Sequence, residues 1–211
     1  MKVHIVFAHV THDSFTGALL DAFVQGLDEA GHEHTISDLY AMDFNPLMSV
    51  DEYHRESSYA AHVPVPEDIR QEQAKLNAAD VWAFVYPVWW TDVPAILKGW
   101  FDRVWTVAFA YEPEMAEDGR HPTRVDVPQL RVAEQVVVLC SAGHSERKLR
   151  ESGCWQAMET TMLTDRIFNR ARRKQFMVFG GGADLTAMDW ALKRTQDLAS
   201  AYQTGLDLGR L

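Results

Sequence analysis

Three short stretches of the chain hold the residue types that cofactor chemistry needs. The first is His9-Val10-Thr11-His12-Asp13-Ser14-Phe15-Thr16, which stands between an apolar run and a helical pattern. A helix starting there would present unpaired N–H groups and the positive end of its dipole. The hydroxyls of Thr11, Ser14 and Thr16 would add donors, a set suited to phosphate. The plainer reading is that Ser14 caps the helix while Thr11 and His12 close a turn. Neither GxGxxG nor GxxxxGK[ST] occurs in the chain, so the dinucleotide fingerprint and the nucleotide-triphosphate loop are both absent.

The second stretch, Tyr86-Pro87-Val88-Trp89-Trp90-Thr91-Asp92-Val93-Pro94, sets adjacent tryptophans between two prolines. Alternation prevents both from being buried, so at least one faces outward as a flat aromatic wall. Such a wall stacks a planar heterocycle and keeps water away. A dimer contact would use the same side chains, and the two uses are compatible if the site lies at the interface. The third stretch, Ser141-Ala142-Gly143-His144-Ser145, offers backbone N–H groups where Gly143 permits close approach. Those donors suit a ring that gains negative charge on reduction. Gly180-Gly181-Gly182 reads as a turn.

Other chemistries lack their parts. His32 and His34 have no third ligand, so no metal site is expected. GxSxG is absent. Cys140 ends an apolar run and reads as inert core, while Cys154, beside Trp155, shows no activating partner in the sequence.

The elements that would position these loops alternate regularly. Residues 3–8 form an apolar, β-branched run of the buried-strand type, and residues 14–31 carry a helical period from Ser14 to a closing Gly31. Residues 32–39 read as a second strand, followed by a turn-rich segment, 40–66, without a period. A helix at 68–79, a strand at 81–86 and a helix from Pro94 to Val104 follow. A polar connection at 112–128 leads to a strand at 135–140 and a helix at 145–168 broken at Gly153. A strand at 176–179 and a closing helix at 184–208 complete the chain. The apolar face of that helix is expected to be Leu185, Met188, Leu192, Thr195, Leu198, Ala199 and Tyr202. Five apolar strands, each followed by a helix, imply an α/β, doubly wound parallel sheet in a single domain over residues 1–211. Ligands of such sheets bind beyond the carboxyl ends of the strands, which gathers the three loops on one rim.

Composition narrows the partners. The 211 residues are 47% hydrophobic and 24% charged, ordinary globular values, and the net charge is −10. That charge disfavours nucleic acid and anionic membranes. No window approaches the roughly 20 apolar residues of a membrane span. Two cysteines and a short opening run interrupted by His4 lead to the expectation of a cytoplasmic protein.

Read together, the loops resemble the flavodoxin-like NAD(P)H:quinone oxidoreductases. Ala8-His9 with Ser14-Phe15 is similar to that family's first flavin loop, and residues 37–46 (SDLYAMDFNP) to its segment after strand two. Residues 87–91 continuing through 93–104 (VPAILKGWFDRV) match best, and Phe109-Ala110-Tyr111 extends the match. The resemblance implies strand order 2-1-3-4-5, FAD (FMN as the alternative) and NAD(P)H as electron donor. It also implies a homodimer with two flavin sites at its interface, and ping-pong two-electron reduction of quinones or similar planar acceptors. Trp89, Trp90 and the apolar helix at 96–104 would serve that interface. By the same resemblance His9, Ser14, Phe15 and Thr16 would hold phosphates, and Pro87, Val88, Trp89, Trp90 and Thr91 would run along the ring. Ser141, Ala142, Gly143 and His144 would contact its pyrimidine end, and Tyr111 would line the acceptor pocket.

The resemblance also implies that the family's Tyr and His after the third loop fall at Leu149 and Trp155, so His144 is their expected substitute, the alternative being that the Ala142 and Gly143 N–H groups suffice and His144 points to solvent. Tyr111, by the resemblance, is the other expected catalytic side chain. The alternatives are a nitro- or azo-aromatic reductase on the same scaffold, a peripheral regulatory partner of a potassium efflux channel, and a one-electron flavodoxin.

Overall fold

The protein is described here by a computed structural model that covers residues 1–114, 123–125 and 130–209. Its strands are β1 (Lys2–Phe7), β2 (Glu33–Asp38), β3 (Val81–Pro87), β4 (Glu112–Glu114), β5 (Thr123–Val125), β6 (Ala133–Ala142) and β7 (Ala171–Gly180). Its α-helices are α1 (Phe15–Glu29), α2 (Val50–Ser57), α3 (Glu67–Ala78), α4 (Ala95–Val104), α5 (Glu146–Glu151), α6 (Cys154–Glu159) and α7 (Ala187–Leu206).

Five strands form one parallel sheet in the order β2-β1-β3-β6-β7, the expected 2-1-3-4-5 arrangement with the short antiparallel pair β4-β5 set apart. The register runs Val6↔Phe84, Phe84↔Val138 and Val138↔Phe176, so the apolar centres of four strands align. One face of the sheet packs Trp82, Phe84 and Val138 against Trp100, Phe101 and Trp105. The other packs Phe7, Val85 and Leu139 against Leu19, Phe23 and Leu27 of α1. Each fully buried side chain of this size stabilises the fold by roughly 1.5–3 kcal/mol, and the two faces together fix where the loops emerge.

Several elements differ from expectation for identifiable reasons. The segment at 40–66 contains α2, which opens on a capping box in which Ser49 accepts from the Glu52 N–H and Glu52 accepts from the Ser49 N–H. β7 begins at Ala171 rather than 176, since it is an edge strand that tolerates Arg172, Arg173 and Lys174. Gly153 does break the fifth-region helix (φ +78), but the helix beyond it turns π-helical over Thr160–Arg166. The polar connection holds the β4-β5 pair, and its residues 115–122 and 126–129 lie outside the described residues.

α7 does not bury the whole face expected of it. Met188 and Leu192 are 74% and 62% exposed, while Asp197, Ala201 and Gly205 are buried. The contact is made by small residues because Gly26 and Gly205 bring α1 and α7 backbone to backbone. A Cβ at Gly205 would stand 2.3 Å from the Phe23 carbonyl.

Candidate functional site

The β1-α1 loop forms the first wall of the rim. Ser14 Oγ accepts the Gly17 N–H and donates to the Thr11 carbonyl, and Thr11 Oγ1 accepts the Asp13 N–H. Both hydroxyls therefore build the loop. The first-turn amides of Phe15 and Thr16 have no intrahelical acceptor and point out of the helix end. Thr16 was expected on a phosphate, yet its side chain is buried and its Oγ1 lies 2.7 Å from Ser141 Oγ. His9 is partly exposed, with Nδ1 2.8 Å from the Thr11 carbonyl. The loop also docks on β2, where His12 Nε2 lies 2.7 Å from Asp38 Oδ2.

The β3-α4 loop is a tight hairpin closed by Trp89↔Asp92, with Trp90 and Thr91 both at positive φ (+54 and +63). Positive φ at a β-branched residue costs on the order of 1–3 kcal/mol, and such strain persists only where surrounding contacts over-determine it. The turn holds Trp90 fully exposed and Trp89 41% exposed, with the Trp89 ring 6.2 Å from His9. The outward aromatic wall is present. Pro87 ends β3 buried, and the Val88 N–H donates to the Ser141 carbonyl at 2.7 Å, which ties this loop to the third.

The β6-α5 loop is the open side of the rim. Nothing lies within 4 Å of a Cβ built on Gly143, so the backbone there is accessible to a ligand. Ala142 and Gly143 accept from Gly181 and Ala183, and Gly180, at φ +122, packs so closely that a Cβ would meet the Ala142 carbonyl at 2.1 Å. The triglycine turn thus braces the loop. Asp184 locks it further: it accepts from the Ser145 N–H at 2.7 Å and from Lys148 Nζ at 2.7 Å, and His144 Nδ1 lies 3.2 Å away. The Lys148 bond, then the Ser145 N–H, hold the Asp184 carboxyl well below the usual carboxylate range. His144 is therefore turned toward Asp184 while its side chain stays 59% exposed.

Leu149 and Trp155 are buried with Met158 against Val88 and Ala142. They underlie the second and third loops, and neither side chain titrates near neutral pH. Sequence reasoning missed Phe15's partner: Trp190 of α7 meets it edge to face at 5.1 Å, an aromatic pair beside the β1-α1 loop. It also missed that Cys154 Sγ touches Thr91 Oγ1 at 3.5 Å, and hydroxyl bonds from Ser152 and then Thr91 draw this thiol below its usual pKa. Cys140 is core as expected, its thiol pushed up by burial.

Tyr111 does not stand with these loops. It lines a separate cleft of about 350 Å³ with Phe101, Trp105, Glu56, Lys98 and Arg166, and its hydroxyl donates to Glu56 Oε2 at 2.9 Å. The link between cleft and rim is Arg166, whose Nη2 lies 3.0 Å from Asp92 Oδ1. The apolar face of α4 is engaged in the chain's own core through Leu97, Trp100, Phe101 and Val104, so it is not free to form the expected interface. Exposed apolar side chains lie elsewhere, at Trp90, Val10, Leu47, Val50 and Tyr53. Among the described residues no helix is long and apolar enough to cross a membrane, and no group of three metal-ligating side chains gathers.

These features fit a flavin. The rim offers unpaired first-turn amides for phosphate, an outward indole wall for a planar ring, and an open backbone at Gly143.

Comparison with known proteins agrees with the fold. A family model described as a flavodoxin-like fold matches residues 1–173. An uncharacterized NAD(P)H oxidoreductase of Haemophilus influenzae is 42% identical over 210 residues, covering 98% of this chain and 96% of its own. NAD(P)H dehydrogenase [quinone] 1 of Rattus norvegicus is 42% identical over 120 residues, 51% of this chain and 44% of its own. The chain thus spans about half the length of the first curated relatives it matches. Among solved structures, an NAD(P)H:quinone oxidoreductase from Methanothermobacter marburgensis superposes with a TM-score of 0.86 at 38% identity, covering 99% of this chain and 96% of that one.

Proposed function

The chain belongs to the flavodoxin-like fold family, and from that premise we propose that it is a flavin-dependent NAD(P)H oxidoreductase that reduces quinones or similar planar acceptors by two electrons. The single observation that carries this reading is the rim itself. First-turn amides of α1, the Trp89-Trp90 wall and the open Gly143 backbone converge beyond the strand ends where flat, phosphorylated ligands bind.

The flavin would supply the hydride acceptance and donation that no side chain of this chain can perform. The protein's part is to bind, orient and shield. The amides of Phe15 and Thr16, with His9 beside them, would hold the phosphate. Trp89, Trp90 and Thr91 would cover the ring, and the backbone at Ala142 and Gly143 would donate to its electron-rich edge. His144, turned by Asp184, would add a donor there. FAD is the preferred cofactor and FMN the alternative, and the first-turn amides of α1 suit the phosphate of either.

We also read the active unit as a homodimer. Trp90 is fully exposed, and Tyr111 lies in a cleft apart from the rim, so a second copy would bring its Tyr111 toward the acceptor place. Two free thiols suit a reducing compartment, and cytoplasmic action is proposed on that ground. The relatives described above are oxidoreductases, and nothing about them favours the channel-regulating alternative.

The test is steady-state kinetics with NADH and NADPH against a panel of quinones, nitroaromatics and azo dyes, with sedimentation at micromolar concentration. Parallel double-reciprocal lines with quinones and a dimeric sedimentation coefficient are expected. Turnover confined to azo or nitro compounds would move the acceptor class, and an active monomer would remove the dimer.

A further inference from the structure

The β3-α4 hairpin is strained, outward and nearly bare, yet it is the wall on which the proposed ring would lie. Its own backbone contributes one closing pair, Trp89↔Asp92, while both central residues sit at positive φ. Beyond the Val88 N–H bond to Ser141, two side-chain contacts hold the turn, and both come from a segment distant in sequence. The segment from α6 through the π-helical turn reaches it twice, by Cys154 Sγ at Thr91 Oγ1 and by Arg166 Nη2 at Asp92 Oδ1.

Arg166 is built for this task. Its side chain is 7% exposed whereas that of Asp92 is 50% exposed, so the cation is the anchored partner and the loop the held one. The guanidinium lies 5.4 Å from the Phe101 ring, and the Arg166 carbonyl accepts Trp105 Nε1–H at 2.6 Å and Arg170 Nη1–H at 3.3 Å. It is also the last residue of the π-helical turn, the kind of local insertion that re-aims a side chain at functional sites. Asp92 Oδ1 accepts the Val93 N–H at 2.7 Å as well, so one carboxylate oxygen couples the anchor to the exit of the hairpin.

We propose that Arg166 is a positioning residue of the flavin site. Through Asp92 it fixes the Trp89-Trp90 hairpin in its strained, outward form, and because it also lines the Tyr111 cleft it sets the wall and the acceptor space relative to each other. A charge-assisted bond from a buried cation is strong enough to select one loop geometry, and a loop released from it would hold the ring less tightly. This inference rests on the reading of the hairpin as the flavin wall.

The experiment is flavin-fluorescence titration of apoprotein with FAD and FMN for wild type, Arg166→Met, Arg166→Lys, Asp92→Asn and the Arg166→Met/Asp92→Asn pair, with visible circular dichroism of the bound flavin. Expected are a rise in Kd of about tenfold or more for Arg166→Met and Asp92→Asn, and a double variant no worse than the weaker single because the two act as one contact. Arg166→Lys should recover most of the affinity, and the flavin dichroism should change in the weakened variants. Unchanged Kd and dichroism in both single variants, or fully additive losses in the double, would overturn the proposal. If Arg166→Met does not fold, Asp92→Asn, changed at a half-exposed side chain, reads the same contact alone. Wild type that binds neither flavin would overturn the flavin reading and this inference with it, whereas wild type that binds while the variants are unaltered overturns this inference alone.

Discussion

Thr16 and Ser141 stand 125 positions apart in the chain and meet hydroxyl to hydroxyl at 2.7 Å, both side chains buried. Thr16 lies in the first turn of α1 and Ser141 is the penultimate residue of β6, and the Ser141 carbonyl also takes the Val88 N–H. Two polar contacts at one residue, Ser141, therefore tie together the three loops of the rim.

Removing one hydroxyl of that pair leaves the other buried and unpaired, which costs about 1–3 kcal/mol. Ser141→Ala should lower stability by that amount in urea unfolding, and Thr16→Val/Ser141→Ala should recover part of the loss. A double variant that is less stable than Ser141→Ala by the full Thr16→Val effect would show that the two hydroxyls do not depend on each other.

His4 supplies a pH dependence remote from the rim. It is fully buried on β1, with Thr35 and Ser37 bonded to its ring and Glu72 and Lys75 nearby, and burial above all, opposed by Glu72 and assisted by Lys75, lowers its pKa from 6.5 to about 4. The unfolded chain therefore binds the proton more readily than the folded one. Stability is full above pH 6.5 and falls as pH drops toward 4, with a slope approaching 1.4 kcal/mol per pH unit within that window. His4→Gln should flatten this slope, and an equal slope in the variant would assign it to other groups.

The sequence made some of this legible and hid the rest for physical reasons. Continuous apolar strands such as 81–86 announce a doubly covered parallel sheet, and adjacent tryptophans at 89 and 90 announce an outward side chain, because both follow from local periodicity. α2 was hidden because Val50 and Tyr53 face solvent and leave no apolar period, although Ser49 and Glu52 carried the capping signal. Hydroxyls at Thr11, Ser14 and Thr16 were visible, but their directions were not. Thr16 turns inward to a partner that only the sheet topology supplies, and Arg166 reaches Asp92 from 74 positions away. His144 was likewise visible as a residue and invisible as a neighbour of Asp184.

Under the proposed function, His144 would be the donating side chain at the flavin's electron-rich edge, since Leu149 and Trp155 are buried beneath the loops. Positioned donors toward developing charge typically contribute about 10²-fold or more. His144→Ala should therefore slow anaerobic bleaching by NAD(P)H or reoxidation by quinone on that order in stopped flow between pH 5 and 8. Unchanged flavin content with both phases slowed less than about threefold would return the role to the Ala142 and Gly143 amides.

Whether the rim formed by Phe15, Trp89, Trp90 and Gly143 holds a flavin is read from the visible absorbance of the purified protein together with chromatography of what denaturation releases. Expected are flavin bands, released FAD or, as the alternative, FMN in about one equivalent per chain, and bleaching on anaerobic addition of NAD(P)H. A colourless protein that neither FAD nor FMN reconstitutes would contradict it.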